Sequence, residues 1–539
     1  MLEPHESGVI RTNFETSPSW SAQQVGLFSD RPRLLLEKGY WHDDVQMAVK
    51  RWYLVDAESN DVSIYSQTVV ENSKFELVNL IEAEGFTLSD APEDWATGND
   101  DGLPEFYPLV TVAKLTHLIG NHMTIKLAVA GGNRGARFDQ ILGGLEEQIE
   151  MVAICDPEEQ VRSQWTKGRP EIKAYAQFED MVEDPGIDAV FIATPMLLHA
   201  GQALTAMTAG KHVLSEVIAA TTLDECHALV EMVESTGLTY MMAENYCYRR
   251  EAMMIKNMAE QNVFGDLTYA EGAYIHDCRD LMFNTDYSRT WRGGGEGTGN
   301  TQASRGNGYP THSLGPVAQW LGINSSDRLK RTTTFVTKSA ARQEWARSVL
   351  PEGHFDTQDS AWSNFTDSAT TLIETEQGRV ICLRKDSASP RPHNSALHTL
   401  QGTNGAYMSG RFDGEDPLVW LEGVSKGVSP ANFRYENKAR PAGPTNEVHP
   451  EWQPLWDLSD QYEHPYWKYL GEEAIQAGHG GGDYFVMYDF ARAVAGEIKP
   501  PIDVYDAVTW SSIFPISIEN VARNGEPLDI PDFKNRYLG

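Results

Sequence analysis

The stretch Lys126-Leu-Ala-Val-Ala-Gly-Gly-Asn-Arg-Gly135 decides the fold. Leu127 to Ala130 is a short apolar run that predicts a buried parallel strand. It breaks at Gly131-Gly132, and a helix is expected from about Asn133 through Leu145. Gly132 would let backbone N–H groups, with Asn133 and Arg134 next in the turn, come close to a pyrophosphate. Gly135 would let the helix pack tightly on the strand, and the phosphate charge would sit at the positive end of the helix dipole. The first glycine of the G-x-G-x-x-G fingerprint is Ala130 here, so the copy is imperfect. A second apolar run, Glu150-Met-Val-Ala-Ile-Cys155, ends at Asp156, roughly 20 residues beyond the glycines. A carboxylate there binds adenosine ribose hydroxyls and repels a 2′-phosphate, which favours NAD. The plain alternatives are a glycine turn without a ligand and, for Asp156, a helix cap before Pro157.

At 539 residues the chain exceeds one ordinary domain. A net charge of −33 argues against nucleic acid and an anionic membrane surface as partners. Its five cysteines are scattered without C-x-x-C spacing, which fits a reducing compartment and carries no zinc signature. No apolar run reaches transmembrane length, and Met1-Leu-Glu-Pro-His-Glu6 lacks the basic start of a secretory signal. The expected location is the cytoplasm.

Outward from the opening stretch, strand and helix patterns alternate. The strand Ile187 to Ala193 ends at Thr194-Pro195. A helix from about Leu197 to Ala209 leads to the strand Gly210 to Leu214. The helix Leu223 to Ser235 and the strand Leu238 to Ala243 follow. Repeated units of this length predict an α/β Rossmann fold, a doubly wound parallel sheet, over residues 123–246. After Tyr246 the texture changes. Runs such as Leu267 to Cys278, Thr332 to Lys338, Thr370 to Glu376, Arg379 to Leu383 and Ser395 to Gly402 alternate like half-buried antiparallel strands. Helices are expected at Glu251 to Gln261, Tyr484 to Ala495 and Val504 to Asn520. Residues 247–539 therefore read as an α+β domain with a mostly antiparallel sheet, through which a homo-oligomer could form. Residues 1–122 read as an appended segment of unknown role, with short helices or strands within Asp43 to Tyr65 and Lys74 to Phe86 and an acidic linker at Ser89 to Pro108.

On these residues the chain resembles the Gfo/Idh/MocA family of glucose–fructose oxidoreductase and inositol dehydrogenase. The matching features are the Gly-rich turn, Asp156, Ile192-Ala-Thr-Pro195 with His199, Gly210-Lys-His-Val213 with Glu216, and Asn245. The resemblance implies NAD as cofactor, with Gly132, Asn133, Arg134, Gly135, Asp156, Thr194, Pro195, His199, Glu216 and Asn245 around it. The family's run at this point is Glu-Lys-Pro, whose lysine assists proton transfer, but this chain has Glu216-Val217-Ile218. Valine cannot carry a proton. Gly308-Tyr-Pro-Thr-His312-Ser-Leu-Gly-Pro-Val-Ala318 is similar to a segment of the NAD-dependent glycoside hydrolases within that larger family, the bacterial α-N-acetylgalactosaminidases. So are Glu244 to Tyr248, Gly478 to Asp483 and Ile502 to Ala507.

Tyr309 and His312 are the catalytic candidates, because an imidazole can take and return a proton and a nearby phenol can bond a sugar oxygen. The plain alternative for His312 is a buried ring satisfied by backbone. Tyr246, Tyr248, Arg250, His276, Trp291, Arg292 and His479 are candidates for a sugar pocket, since rings stack on sugar faces and guanidinium groups bind oxygens. Sequence-distant His276, Asp277, His479 and Asp483 lack the tight spacing of a metal site, so no metal is expected. The leading function is an NAD-dependent glycosidase acting by oxidation at C3, elimination, water addition and re-reduction. A sugar or polyol dehydrogenase is the alternative, and a non-catalytic NAD and sugar binder is the third.

Overall fold

The computed structural model describes residues 124–139, 141, 144–290, 292–294, 305–391, 396–412, 414–426 and 451–534, with strands in the first 87 residues. In that first part Ser19–Phe28, Arg31–His42, Met47–Asp56 and Val62–Val70 pair in chain order as an antiparallel meander. The first two strands of it were not anticipated from sequence. The linker expected at Ser89 to Pro108 lies outside the described residues, as does Lys74 to Phe86 except its last residue, which begins the strand Phe86–Thr87.

The nucleotide-binding sheet begins with β1 (Ile125–Ala130), α1 (Gly132–Asp139), β2 (Ile149–Cys155), α2 (Glu159–Thr166) and β3 (Lys173–Tyr175). It continues with β4 (Ala189–Ile192), α3 (His199–Thr208), β5 (His212–Ser215), α4 (Leu223–Thr236) and β6 (Tyr240–Met242). The strands lie in the order β6-β5-β4-β1-β2-β3, all parallel. This is the doubly wound order. Leu127, Ala128, Val129 and Ala189 to Ile192 are buried on both faces, which is why these strands read as continuous apolar runs rather than alternating ones. The order reverses between β1 and β4, where Ala130 is level with both Ile192 and Cys155. Ligands of such sheets lie outside the carboxyl ends of the strands at that reversal. Helix α1 stops at Asp139 instead of Leu145, short of Gly143-Gly144, a pair that withdraws helix propensity.

The second sheet contains β7 (Leu267–Ile275), β8 (Leu329–Val336), β9 (Ser368–Thr375), β10 (Val380–Asp386), β11 (Leu397–Gly402), β12 (Gly405–Met408), β13 (Leu418–Leu421), β14 (Gln453–Pro454) and β15 (Leu528–Asp529). Its order is β14-β13-β12-β11-β7-β10-β9-β8-β15, and only the β7–β10 pair is parallel. Helices α5 (Arg250–Glu260), α6 (Thr311–Trp320), α7 (Pro465–Ala474), α8 (Gly482–Val494) and α9 (Val504–Ala522) are among those of this part. Helix α6 lies directly on β7, because a Cβ on Gly272 would overlap the carbonyl of Ser313. Helix α9 and the residues just before it pack against the parallel sheet: Met242 N–H donates to Ile502 O at 3.1 Å and Ala219 N–H to Ser511 Oγ at 3.0 Å. Among the described residues no helix is long and apolar enough to cross a membrane.

Candidate active site at the carboxyl end of the parallel sheet

The turn after β1 requires its glycines for different reasons. Gly131 has φ +93°, and a Cβ there would overlap the carbonyl of Ala193 at the end of β4. A Cβ on Gly135 would overlap Val129, so this glycine sets how closely α1 packs on β1. Gly132 behaves otherwise than the sequence suggested. Its N–H donates to Asp156 Oδ2 at 2.9 Å, and its missing side chain would run into Val161 and Trp165, not into phosphate space. The N–H groups of Asn133 and Arg134 meet no acceptor among the described residues, so α1 opens on two free donors at its positive end. That cradle fits a pyrophosphate. Asp156 is buried and takes Gly132 N–H on one oxygen and Glu158 N–H on the other, both at 2.9 Å; each oxygen keeps a lone pair for a ribose hydroxyl.

Across the turn, Arg134 Nε donates to Glu216 Oε1 at 2.6 Å, and its Nη2 lies 3.6 Å from Asp483 Oδ1. Burial works to lower the Arg134 guanidinium, but the charges of Glu216 and Asp483 outweigh it and raise it above the usual value. Asp483 stands in the first turn of α8 with no exposed surface. It also takes Asn245 Nδ2 at 2.7 Å and His479 Nδ1 at 2.9 Å. Burial would raise its carboxyl, yet His479, Arg134 and Asn245 hold it below the ordinary value. The run Gly478-His-Gly-Gly-Gly482 is small because it must approach closely: a Cβ on Gly478 would overlap Asp483, and one on Gly482 the carbonyl of Asn245. Among the described residues Asn245 Oδ1 is buried without a partner, a polar atom open to a ligand.

Next to it the rings gather. His312, in the first turn of α6, lies against Tyr246 with centroids 4.1 Å apart and the rings tilted by 31°, and meets Tyr274 and Tyr309 edge-on, both at 4.9 Å. Tyr309 in turn stacks on Tyr274 at 5.3 Å. The Tyr274 hydroxyl lies 2.7 Å from His276 Nδ1. Burial, then the negative charge of Glu216, pushes the Tyr309 hydroxyl well above the usual phenol range, opposed by Arg292 and Arg134. At neutral pH Tyr309 therefore keeps its proton and is a hydrogen-bond donor. Arg292 reaches Cys278 Sγ at 3.4 Å and its charge acts on both Tyr274 and Tyr309.

Three expected residues stand elsewhere. Both ring nitrogens of His199 lie 2.8 Å from main-chain carbonyls, Thr194 O and Ile218 O, so it clamps the two strand-end loops instead of facing a cofactor. Tyr248 is buried and donates its hydroxyl to Asp489 at 2.9 Å, a core contact. Arg250 is drawn to Glu463, with Nε 2.7 Å from its carboxylate, and lies over Trp456. Trp291 lies outside the described residues. Thr194 donates to Gln202 at 2.6 Å while Pro195 is exposed beside it. The residues missed were Glu244, whose Oε1 is 2.6 Å from His312 Nδ1, together with Tyr274 and Asp483. The signal for Glu244 was its place beside Asn245 in the Glu-Asn-Tyr-Cys-Tyr segment.

The fold and this site define an NAD-binding Rossmann enzyme with an appended antiparallel-sheet domain. Residues 125–244 match the family described as "Oxidoreductase family, NAD-binding Rossmann fold", and residues 248–538 match "Glycosyl hydrolase 109, C-terminal domain". A "Glycosyl hydrolase family 109 protein" of Saccharopolyspora erythraea is 34% identical over 426 residues, 76% of this chain and 84% of that one. An "Alpha-N-acetylgalactosaminidase" of Tannerella forsythia is 33% identical over 461 residues, 81% and 87%. The chain belongs to glycosyl hydrolase family 109. Levoglucosan dehydrogenase, solved in complex with NADH and L-sorbose, shares the fold with a TM-score of 0.57 at 17% identity, over 76% of this chain and 99% of that one.

Proposed function

We propose that the enzyme cleaves glycosides by transient oxidation at C3, with His312 as the base and Tyr309 as the hydrogen-bond donor. One observation carries the reading. Position 217, the lysine site of the dehydrogenases that the sequence resembles, is a buried valine, while the charge of Glu216 beside it reaches the hydroxyl of Tyr309. That supports a reading in which the Tyr-Pro-Thr-His turn takes over the work of the missing ammonium.

The Asn133 and Arg134 N–H groups would hold the pyrophosphate, Asp156 the adenosine ribose, and Asn245, Glu216, Thr194 and Pro195 the far half of NAD. When bound, NAD supplies the acceptor and later the donor of the C3 hydride. Tyr309 donates to the sugar oxygen, and Tyr246, Tyr274, His276, Arg292 and His479 line the place where the ring would lie. The C3 hydroxyl proton would leave through His312 to water as the C3 hydride leaves. The C3 ketone acidifies C2–H, and the freed imidazole takes that proton as the C1–O bond to the aglycone breaks and the aglycone oxygen takes a proton from water. The imidazolium returns the proton as water adds at C1. No pair of carboxylates of the ordinary hydrolase kind is called for.

Residues 123–246 are assigned to NAD and 247–539 to the sugar, with 1–122 appended. Five free cysteines support a cytoplasmic setting. Exposed Phe335, Leu372 and Val380 on β8, β9 and β10 support self-association through the sheet, which sedimentation would read. The name of the Tannerella relative makes aryl α-N-acetylgalactosaminides the first substrates to try. Incubation with an aryl glycoside panel in heavy water, with and without NAD, tests the whole reading. Phenol release that depends on NAD, with deuterium at C2 of the sugar, is expected. Release without C2 exchange overturns elimination, and steady NADH build-up without phenol release assigns the enzyme to the dehydrogenases.

A further inference from the structure

Glu244 follows β6 and has no exposed surface. A carboxylate taken wholly out of water is costly unless its charge is met. Its Oε1 lies 2.6 Å from His312 Nδ1 and accepts the N–H of Tyr246 at 3.1 Å. Its Oε2 is buried without a hydrogen-bond partner among the described residues. The bond to Nδ1 has a definite consequence for the ring. A carboxylate only accepts, so Nδ1 carries the proton and Nε2 is left with its lone pair. Tyr246 on the face and Tyr274 and Tyr309 at the edges stop the ring from turning. Helix α6 comes this close only because position 315 is glycine: a Cβ there would stand 2.9 Å from both Glu244 Cγ and Cys247 Sγ.

We propose that Glu244 is a positioning residue for His312, fixing the Nδ1–H tautomer so that Nε2 is the base and holding the imidazolium that forms. This rests on the catalytic reading of His312. In the proton transfer the C2–H bond breaks, its proton forms a bond to Nε2, and its electron pair moves into the sugar as the aglycone leaves. The Nδ1 proton stays in its bond to Glu244 throughout, so nothing is oxidised at this pair.

The test uses the full chain with NAD. Glu244→Gln keeps an acceptor for Tyr246 N–H and removes the charge. It should lower kcat by about 10²-fold or more with KM little changed, the direction set by a carboxylate behind a catalytic imidazole. The acid limb of kcat/KM should move to lower pH, because the imidazolium loses its counter-charge. Glu244→Asp should recover part of the rate, and Glu244→Gln added to His312→Ala should cost little more than His312→Ala alone. If His312→Ala keeps full activity, the catalytic reading itself fails. If His312→Ala is inactive while Glu244→Gln retains the wild-type rate and pH profile, the positioning role fails alone. Nitrogen-15 spectra of the wild-type histidines provide a readout independent of activity and of any variant's folding. A resting His312 protonated on Nε2 overturns the proposal.

Discussion

Two imidazole–carboxylate pairs stand near Tyr246, and their difference shows how the site divides its work. His312 is bonded to Glu244 and His479 to Asp483, and the Tyr246 ring lies 4.1 Å from the first imidazole and 6.2 Å from the second. Both carboxylates are fully buried. Asp483, however, also holds Arg134 and Asn245, so a permanent cation already meets its charge. The His479 side chain is about a third exposed, against 7% for His312. Among the described residues Glu244 has only His312 and the Tyr246 N–H. The Asp483 pair is thus a strap tying α1 to α8, while the Glu244 pair has an imidazole whose proton state matters.

The sharpest break of this comparison is by truncation. His312→Ala should lower turnover by about 10²–10⁴-fold, the scale of a positioned acid–base group, with NAD affinity little changed. His479→Ala should cost about tenfold or less, because Arg134 still meets Asp483. Equal losses in the two variants, measured by steady-state kinetics, would erase the distinction between base and strap.

The strap depends on the packing of α1, since Arg134 belongs to it. Gly132→Val should drive a side chain into Val161 and Trp165, costing about 1–3 kcal/mol as an overpacked core does. The melting temperature should fall and NAD binding weaken with it, through a shifted turn and not through a side chain in the pyrophosphate's place. A variant that melts like the wild type but cannot bind NAD would restore the phosphate-clash reading.

Facing that turn from the end of β2, Asp156 should favour NAD over NADP by about 1–3 kcal/mol, the worth of one charge-assisted hydrogen-bond site. Calorimetry with both nucleotides measures it. Equal binding would mean that Asp156 serves to hold the Gly132 and Glu158 N–H groups and not the cofactor.

The sequence disclosed most where local signals and tertiary demands coincide. Strands β1, β2 and β4 are short, apolar and bounded by glycine, acid or Thr-Pro, so alternation alone revealed the parallel sheet. Tyr309 and His312 are three residues apart and could be read together. Glu244 could not: its partner is 68 residues away, and a glutamate in isolation says nothing of burial. Arg250 and Tyr248 were placed in the sugar pocket because their partners, Glu463 and Asp489, lie more than 200 residues on. His199 fitted a family pattern, yet both its nitrogens are taken by carbonyls. The N-terminal strands alternate too weakly to be told from short helices.

The smallest effect concerns a third buried ionisable group, one with no place in either pair. Lys385 lies on β10 level with Tyr274 of β7 and has no exposed surface. Burial, then the charge of Arg342, pushes its ammonium down to about 7, against the opposing influence of Cys278, Asp386 and Asp367. An unfolded lysine keeps its proton to about pH 10.4, so between these values the unfolded chain binds the extra proton. Stability from this group therefore rises with pH across that window, by no more than about 1.4 kcal/mol per pH unit for one proton. Asp506 acts oppositely but lower. Burial and Asp503 raise it to about 7, so it loses stability as pH rises towards 7 and is flat above. Between pH 7.5 and 9 the buried thiols, whose protons burial holds, slope the other way in both proteins. The difference between variant and wild type therefore reads the lysine contribution. Lys385→Met should be more stable than the wild type at pH 7.5 by thermal melting, and the gap should narrow by pH 9. Parallel melting curves across that range would mean that the ammonium stays charged inside the fold, and Tyr274 would then work beside a permanent cation.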